Sequence, residues 1–272
     1  MAVEPPAPGG RWADATWPDR ATTGPVALLV PLGATEQHGP HLPLDTDTRI
    51  ATAVAERVAA GRPDAAAAPA IPYGASGEHQ GFAGTLSIGH EALAAVLVEL
   101  VRSATGDRTP GRTGDGGGSS GGGRGSSRGG GEPGAPVATV VLVNGHGGNG
   151  EAVRTALDVL VGEGRPVRAW WPRWPADDSH AGRVETSLLL AIAPEVVHLD
   201  RATAGRTEPL PELLDDLRRG GVAAVSANGV LGDPAGASAA AGAALLEDFA
   251  ADLDRTVTAA LAAADPHQEH RP

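Results

Sequence analysis

The sequence predicts an α/β fold with a mainly parallel central sheet. Three short aliphatic runs, Pro25–Leu32, Ala65–Ile71 and Val137–Val143, are each followed within two residues by glycine or proline. Such runs are typical of strands buried on both faces of a parallel sheet. A segment with a helical pattern follows each run, and this alternation indicates the α/β class. With 272 residues, 41% of them hydrophobic, one domain with a substantial core is the simplest organisation.

The other elements are placed by the same reasoning. A leader over residues 1–24 is predicted to be irregular, and a single domain is predicted over 25–264. A fourth strand is predicted at Val167–Trp171, and the stretch between Ile192 and Gly229 is predicted to be rich in loops. Helices are predicted, in chain order, over Thr48–Ala60, His90 to about Ser103, about Gly150 to Val161, Thr186–Ile192 and about Ser238 to Ala263.

Residues 105–136 differ in composition from the rest of the chain. They are mostly Gly, Ser, Arg and Pro, so they cannot bury enough apolar surface to offset the entropy of ordering. We therefore predict a disordered surface insertion. The alternative is an Arg/Gly segment that binds nucleic acid, which the few arginines and the lack of aromatic residues disfavour. The tail 265–272 is predicted to be flexible, with His267 and His270 in solvent.

Composition excludes several classes of function. The formal net charge of −12 disfavours nucleic acid and anionic membranes as partners. The chain has no cysteine, so disulfides, thiolate zinc sites and a cysteine nucleophile are ruled out. It also has no lysine, which excludes lysine catalysis. The absence of a long apolar stretch and of a signal-peptide pattern predicts a cytoplasmic protein.

Potential metal ligands follow the first predicted strand. Glu36 and His38 are two residues apart, so in an extended segment both side chains point the same way and can reach one centre. Asp47 lies at the start of the next helix, where the helix dipole favours a carboxylate and where it can bridge two cations. Because sites collect at the carboxyl ends of parallel strands, this segment indicates half of a metal site.

The other half is expected after two later strands. His146 follows Val137–Val143 within Asn144–Asn149, whose glycines let the backbone approach a ligand closely. A phosphate-binding loop is the alternative there, but neither a GK[ST] nor a GxGxxG spacing is present. Glu185 follows the last predicted strand and completes a set of two histidines and three carboxylates.

This ligand set suits a pair of divalent ions. Mixed nitrogen and oxygen ligation fits Zn²⁺, Fe²⁺ or Mn²⁺, and the sequence does not choose among them. Two such ions lower the pKa of a bridging water and polarise the carbonyl that it attacks. His180 and Glu185 are the predicted catalytic residues, with His180 carrying a proton to the leaving nitrogen. The alternative for His180 is that it orients a carboxylate.

Four motifs carry a resemblance to a known family: GATEQHGPHLPLDTD, FAGTLSIG, VLVNGHGGN and HAGRVETS. In this order they resemble the creatininase family of metal-dependent amidohydrolases, across nearly the whole chain outside the leader, the insertion and the tail. The resemblance implies a three-layer α/β/α fold, a dinuclear centre and a homo-oligomer, commonly a hexamer. It further implies that Glu36 and His146 hold one metal, that His38 and Glu185 hold the other, and that Asp47 bridges them.

The chain departs from the creatinine-hydrolysing branch at one position. That branch resembles NGHxEN, with a glutamate two places after the histidine, and here this place is Gly148. The carboxylate is therefore expected from Glu185, and creatinine is not the expected substrate.

The segment Tyr73–Thr85, together with DDSHAGRVETS, is similar to the mycofactocin-system peptidases, a branch of the same family. That resemblance implies cleavage of a ribosomally made, modified precursor peptide, with release of its C-terminal Val-Tyr-derived dipeptide. Glu78 and His79 are predicted to bind the substrate. The tryptophans either stack on an aromatic product or pack in a core or interface; they are Trp170, Trp171 and Trp174.

Two other functions remain open. The first is an amidohydrolase or deformylase acting on a small cyclic amide or formamide. The second is a binding protein without catalysis, which the cost of burying unpaired carboxylates disfavours.

Overall fold

The computed structural model describes residues 9–22, 24, 26–106, 137–175 and 178–264. Most of the predicted insertion (107–136) and the predicted tail (265–272) therefore lie outside the described residues. The described strands form one sheet in the order β1-β3-β2-β4-β5, and every neighbouring pair is parallel. The strands are β1 (Gly10–Arg11), β2 (Val26–Leu32), β3 (Ala65–Ala67), β4 (Val137–Asn144) and β5 (Val167–Trp170). The α/β class with a parallel sheet is thus confirmed.

Helices cover both faces of the sheet. They are α1 (Trp17–Thr22), α2 (Thr46–Ala60), α3 (Gly89–Thr105), α4 (Gly150–Gly162), α5 (Arg183–Ile192), α6 (Leu210–Val225) and α7 (Ala239–Ala264). Alternate residues of β2 point to opposite faces: Ala27 and Leu29 pack with α2, α5 and α7, whereas Leu28 and Val30 pack with α3 and α4. The result is the expected three-layer α/β/α arrangement. No described helix combines the length and the apolarity that a membrane span requires.

Three smaller differences separate the structure from the sequence-based elements. The leader is not wholly irregular, because Gly10–Arg11 pairs with β3 and forms an edge of the sheet. The strand predicted over Ala65–Ile71 ends at Ala67, and only one isolated bridge joins Ile71 to Leu32. Finally, α5 begins at Arg183 and not at Thr186, so Glu185 lies in the first turn of a helix.

The largest difference is helix α6, in the stretch that was predicted to be rich in loops. Its signal is present in the sequence as leucines at positions 210, 213, 214 and 217, the spacing of one apolar helical face. The helix is interrupted at Gly221, whose φ of 67° lies in the left-handed region that glycine tolerates. Residues of α6 on both sides of this interruption, such as Leu217 and Val222, line one cavity.

Candidate metal centre

The chain leaves β2 and folds back on itself, which brings the first ligands together. The backbone N–H of Glu36 donates to the Leu44 carbonyl (2.9 Å), and this closes the loop over the ligand side chains. Helix α2 then starts directly against the strand end: a side chain at Gly33 would overlap Thr48 Oγ1 and lie 2.6 Å from the Thr48 nitrogen. This close approach places Asp47, in the first turn of α2, beside Glu36 and His38.

His38 is fully buried and faces two carboxylates. Its Nε2 lies 3.1 Å from Asp47 Oδ1 and 3.9 Å from Glu185 Oε2. Its Nδ1 lies 3.2 Å from the backbone carbonyl of Glu36, to which it can donate a hydrogen bond. Such a bond fixes the tautomer and leaves Nε2 free as a ligand.

His146 makes the corresponding contacts after β4. Its Nε2 lies 3.2 Å from Glu36 Oε2, and its Nδ1 lies 3.4 Å from Asp47 Oδ2. Two buried asparagines hold the loop: Asn144 Nδ2 donates to the His146 carbonyl (2.6 Å), and Asn149 Nδ2 donates to the Gly33 carbonyl (3.1 Å). The second bond ties this loop to the end of β2.

Glu185 reaches the site from the first turn of α5. Its carboxylate accepts a hydrogen bond from the backbone N–H of Ala181, a non-glycine residue with a φ of 54°. The Asp178 carboxylate accepts from the Val184 N–H (2.8 Å) and so caps the same helix end. A side chain at Gly182 would overlap the Asp178 carboxylate, so the motif HAGRVETS needs glycine at that position.

Three groups of side chains could each hold a metal ion. They are Glu36, Asp47 and His146; His38, Asp47 and Glu185; and Glu36, His38 and His180. Glu36, His38 and Asp47 each belong to two of these groups, and the two oxygens of Asp47 face different histidines, His38 and His146. Within the described residues, neither Glu36 oxygen nor Asp47 Oδ2 makes a well-aligned hydrogen bond, although all three atoms are buried. Buried carboxylate oxygens of this kind favour a bound cation, and the mixed nitrogen and oxygen donors fit Zn²⁺, Fe²⁺ or Mn²⁺.

The electrostatics of the cluster depend on burial and on the carboxylate–imidazole contacts. Burial raises the pKa of Glu36 to about 8 and that of Glu185 to about 7. Burial disfavours a charged His38, but the carboxylates of Asp47 and Glu185 outweigh it and raise the pKa of His38 to about 10. Burial likewise opposes the Asp47 carboxylate, yet the charged His38 ring holds the pKa of Asp47 below its usual value.

We expect metal binding to release protons at neutral pH. A ligating His38 must be neutral and a ligating Glu36 ionised, but with pKa values of about 10 and about 8 both carry a proton in the metal-free protein at pH 7. Affinity should therefore rise with pH up to these values, by up to about tenfold per pH unit for each proton released. Titration calorimetry in buffers of different ionisation enthalpy measures the number of protons released per metal ion bound. Zero release or net uptake of protons would contradict the prediction.

Gln37 connects the histidines that surround the ligands. Its Nε2 donates to the Gly229 carbonyl (3.0 Å) and to His79 Nδ1 (2.9 Å), and its backbone carbonyl accepts from His180 Nε2 (2.9 Å). A side chain at Gly229, with its φ of 79°, would overlap the Gln37 amide. Gln37 was not among the predicted site residues, although its position between Glu36 and His38 is a signal.

His41 is a second residue that the sequence reasoning missed. It is fully buried, and its Nε2 hydrogen-bonds Thr186 Oγ1 (2.9 Å). The bond joins the first ligand loop to helix α5 and helps to position the neighbouring Glu185. A histidine three residues after His38, in a motif already singled out, was the available signal.

The predicted substrate-binding residues lie beside the ligands. His79 is buried, with its Nε2 3.2 Å from Glu36 Oε1, and burial together with the nearby His146 lowers its pKa to about 3. The side chain of Glu78 is 32% exposed and its Oε1 lies 3.5 Å from His146 Nε2. His180 Nδ1 lies 3.8 Å from Glu36 Oε1; burial and the charge of His38 hold its pKa well below the ordinary value.

Two cavities open from the cluster. The first, of about 390 Å³, is lined by Glu78, His79 and Gly148 on one side and by residues of α6 on the other. The second, of about 340 Å³, extends past Asp47 and Glu185 to Trp174. His146 and His180 line both cavities.

The tryptophans have separate surroundings. Trp170 is buried, and its Nε1 donates to Asp252 Oδ2 (2.8 Å). Trp174 packs edge-on against Phe249, with 5.6 Å between ring centroids. Of the three, Trp174 alone is among the residues that line these two cavities, whereas Trp171 is 37% exposed.

The chain is similar to known proteins in both sequence and structure. A family model described as Creatininase, creatinine amidohydrolase, matches residues 13–108 and 134–257. The chain is 50% identical over 238 residues to a mycofactocin precursor peptide peptidase of Mycobacterium ulcerans, covering 84% of this chain and 79% of that protein. It is 46% identical to a protein of the same name from Mycobacterium tuberculosis, covering 91% of this chain and 89% of that one. Among solved structures, a manganese form of creatininase superposes with a TM-score of 0.66 at 25% identity, covering 92% and 97% of the two chains.

Proposed function

The chain belongs to the creatininase family, and from this membership we propose that it is a metal-dependent peptidase that cleaves a modified precursor peptide of the mycofactocin type. The bond cleaved would be the one that releases the C-terminal Val-Tyr-derived dipeptide. The observation that carries the proposal is the buried cluster of three carboxylates and several histidines, open to two cavities, in a chain whose relatives bear that peptidase name.

Two divalent ions are the cofactors that the cluster would hold. Glu36, Asp47 and His146 would ligate one ion, and His38, Asp47 and Glu185 the second, with Asp47 shared. When bound, such ions activate a water and polarise the amide carbonyl. The chain keeps the ligands in place through hydrogen bonds to the backbone, such as the one between His38 Nδ1 and the Glu36 carbonyl.

The shape of the site favours a peptide over a small cyclic amide. The two cavities meet at His146 and His180, so a chain whose scissile bond lies at the cluster could continue in both directions. The first cavity presents an apolar wall, formed by Leu210, Leu214, Leu217, Val222 and Leu231. Such a wall suits apolar or aromatic side chains next to the cleaved bond.

We expect Leu214→Asp to raise KM for the peptide about tenfold or more, with metal content unchanged. Leu214 lines the first cavity and is not part of the described core clusters, so the change removes apolar contact with substrate and spares the fold. Losing the contact of one leucine side chain costs about 1.5–3 kcal/mol. Steady-state kinetics compare the KM of Leu214→Asp with that of the control Val96→Asp, at an exposed position of α3. Equal KM values for both variants would show that α6 does not bind the peptide.

The role of His180 as proton carrier stays a prediction. Its ring lines both cavities, but its Nε2 is hydrogen-bonded to the Gln37 carbonyl and its Nδ1 faces Glu36. His180 can reach a substrate only by giving up one of these contacts. The homo-oligomer and the pair of divalent ions are likewise predictions that the family membership supports.

The experiment that tests the function uses the metal-quantified protein and the maturase-modified precursor peptide. Mass spectrometry should detect a C-terminal dipeptide product, and a chelator should stop its release. If a protein carrying two metals per chain releases no dipeptide but hydrolyses small cyclic amides or formamides, the alternative amidohydrolase or deformylase function is correct. Release that continues unchanged in chelator would overturn the metal-dependent mechanism.

A further inference from the structure

We propose that Glu78 is a catalytic carboxylate of this site, and that it occupies the space left free by the missing side chain of Gly148. The inference rests on the proposed peptidase function and assigns the proton transfers of amide hydrolysis to a residue outside the ligand set. It differs from the sequence-based expectation, in which Glu78 only bound substrate and His180 carried the proton to the leaving nitrogen.

The position of Gly148 gives the first argument. A side chain there would overlap Glu78 Oε1 and His146 Nε2, and its Cβ would lie 2.5 Å from the Ala75 carbonyl oxygen. The Ala75 carbonyl and the His146 ring thus require glycine at this position, and the carboxylate of Glu78, from a different loop, occupies part of the volume that a side chain would take. That carboxylate lies 3.5 Å from His146 Nε2, beside the cluster.

Accessibility gives the second argument. The carboxylates of the ligand groups are enclosed: the side chains of Glu36, Asp47 and Glu185 are 0%, 3% and 7% exposed. Glu78 is 32% exposed and lines the first cavity, so it can touch a substrate there. Among the described residues, His146 is its ion-pair partner and no arginine neutralises it.

The backbone around Glu78 is held in place by its neighbours. Residues Gly77–His79 form a single 3₁₀ turn that the bond from His79 N–H to the Ser76 carbonyl closes (3.0 Å). The interruption of α6 at Gly221 fits directly on this turn, since a side chain there would lie 2.6 Å from the Glu78 carbonyl. The turn and α6 therefore hold the backbone of Glu78 at the cavity wall.

The chemistry assigned to Glu78 is a proton transfer in amide hydrolysis. A water in the cavity attacks the carbonyl carbon, and the Glu78 carboxylate takes one proton from that water as the new C–O bond forms. When the C–N bond breaks, Glu78 gives this proton to the leaving nitrogen and returns to its ionised form. The products are a carboxylic acid and an amine, with no other reactant needed.

Glu78→Gln tests the role because it keeps the size of the side chain and removes its basicity. We expect kcat to fall by about 100-fold or more, which is the usual contribution of a general acid–base group. The metal content by mass spectrometry and the dissociation constant of the uncleaved peptide should stay within about threefold of the wild-type values. Glu91→Gln, at an exposed position in the first turn of α3, is the matched control and should match the wild type in all three measurements.

Chemical rescue separates proton transfer from a structural role. In Glu78→Ala the truncated side chain leaves room for a small carboxylate, so added formate should restore turnover at least about tenfold without changing the wild-type rate. Turnover of Glu78→Gln within threefold of the wild type would overturn the proposal. A change in KM alone would show substrate binding, and loss of metal would show ligation; either result also overturns it. Dipeptide release by the wild type supports the peptidase function whatever the Glu78 variants show. A failure of the Glu78 proposal is therefore distinguishable from a failure of the proposed function.

Discussion

Asp47→Asn lowers kcat/KM for the precursor peptide by about 1000-fold or more and lowers the metal content, while the fold is kept. The two carboxylate oxygens of Asp47 lie 3.1 Å from His38 Nε2 and 3.4 Å from His146 Nδ1, so this one carboxylate contacts both halves of the site. Asparagine is neutral, and it offers one amide oxygen in place of the two oxygens of a carboxylate. Loss of the several kcal/mol that bound cations contribute to the transition state corresponds to at least about three orders of magnitude in rate.

Asp45→Asn is the matched control for this experiment. Asp45 is two residues away, pairs with Arg49 at 2.7 Å, and its side chain is 44% exposed. An exposed pair of this kind contributes little, so metal content and turnover should equal those of the wild type. Circular dichroism confirms that both variants are folded, and elemental analysis counts their metals. If the Asp47→Asn variant keeps both metals and full turnover, Asp47 is not part of the metal centre.

Gly33→Ala is the substitution with the second largest expected effect, and it acts on the fold and the site together. Its new methyl group would overlap Thr48 Oγ1 and lie 2.6 Å from the Thr48 nitrogen, so the first turn of α2 must move away from the end of β2. Overpacking of this kind destabilises proteins by about 1–3 kcal/mol. The same movement shifts Asp47 away from Glu36 and His38, so we also expect weaker metal binding.

Denaturant unfolding and metal titration together test this expectation. Gly162→Ala is the control, because a side chain at that position, near the end of α4, meets nothing within 4 Å and its φ is not positive. That control should be neutral or slightly stabilising, by up to about 1 kcal/mol. If Gly33→Ala keeps the stability and the metal affinity of the wild type, the contact between β2 and α2 does not position the ligands.

Most of the ligand set could be found from sequence because local rules place it. Buried strands are recognisable as aliphatic runs, and parallel strands end at one edge, so residues directly after them lie close together. Glu36, His38, Asp47, His146 and Glu185 were found in this way, and the structure brings all five together. The resemblance then supplied their grouping around two ions, which remains part of the proposal.

Residues that support the ligands from a distance were harder to find. Gln37 reaches Gly229, and His41 reaches Thr186, across more than 140 positions of the sequence. No local period or spacing reports such contacts. Helix α6 is a different case, because its leucine spacing was visible but its neighbours in the chain suggested loops.

The sequence by itself determined the fold class, the parallel sheet and the identity of the side chains proposed to bind metal, since these follow from hydrophobic pattern and from chemistry carried by single residues. Only the tertiary structure shows where α6 lies, that residues of α6 line a cavity, and that Glu78 fills the space beside Gly148. The physical reason is that cavities and steric exclusion depend on distances between segments far apart in the chain. These distances arise from packing of the whole core and are not encoded in any one motif.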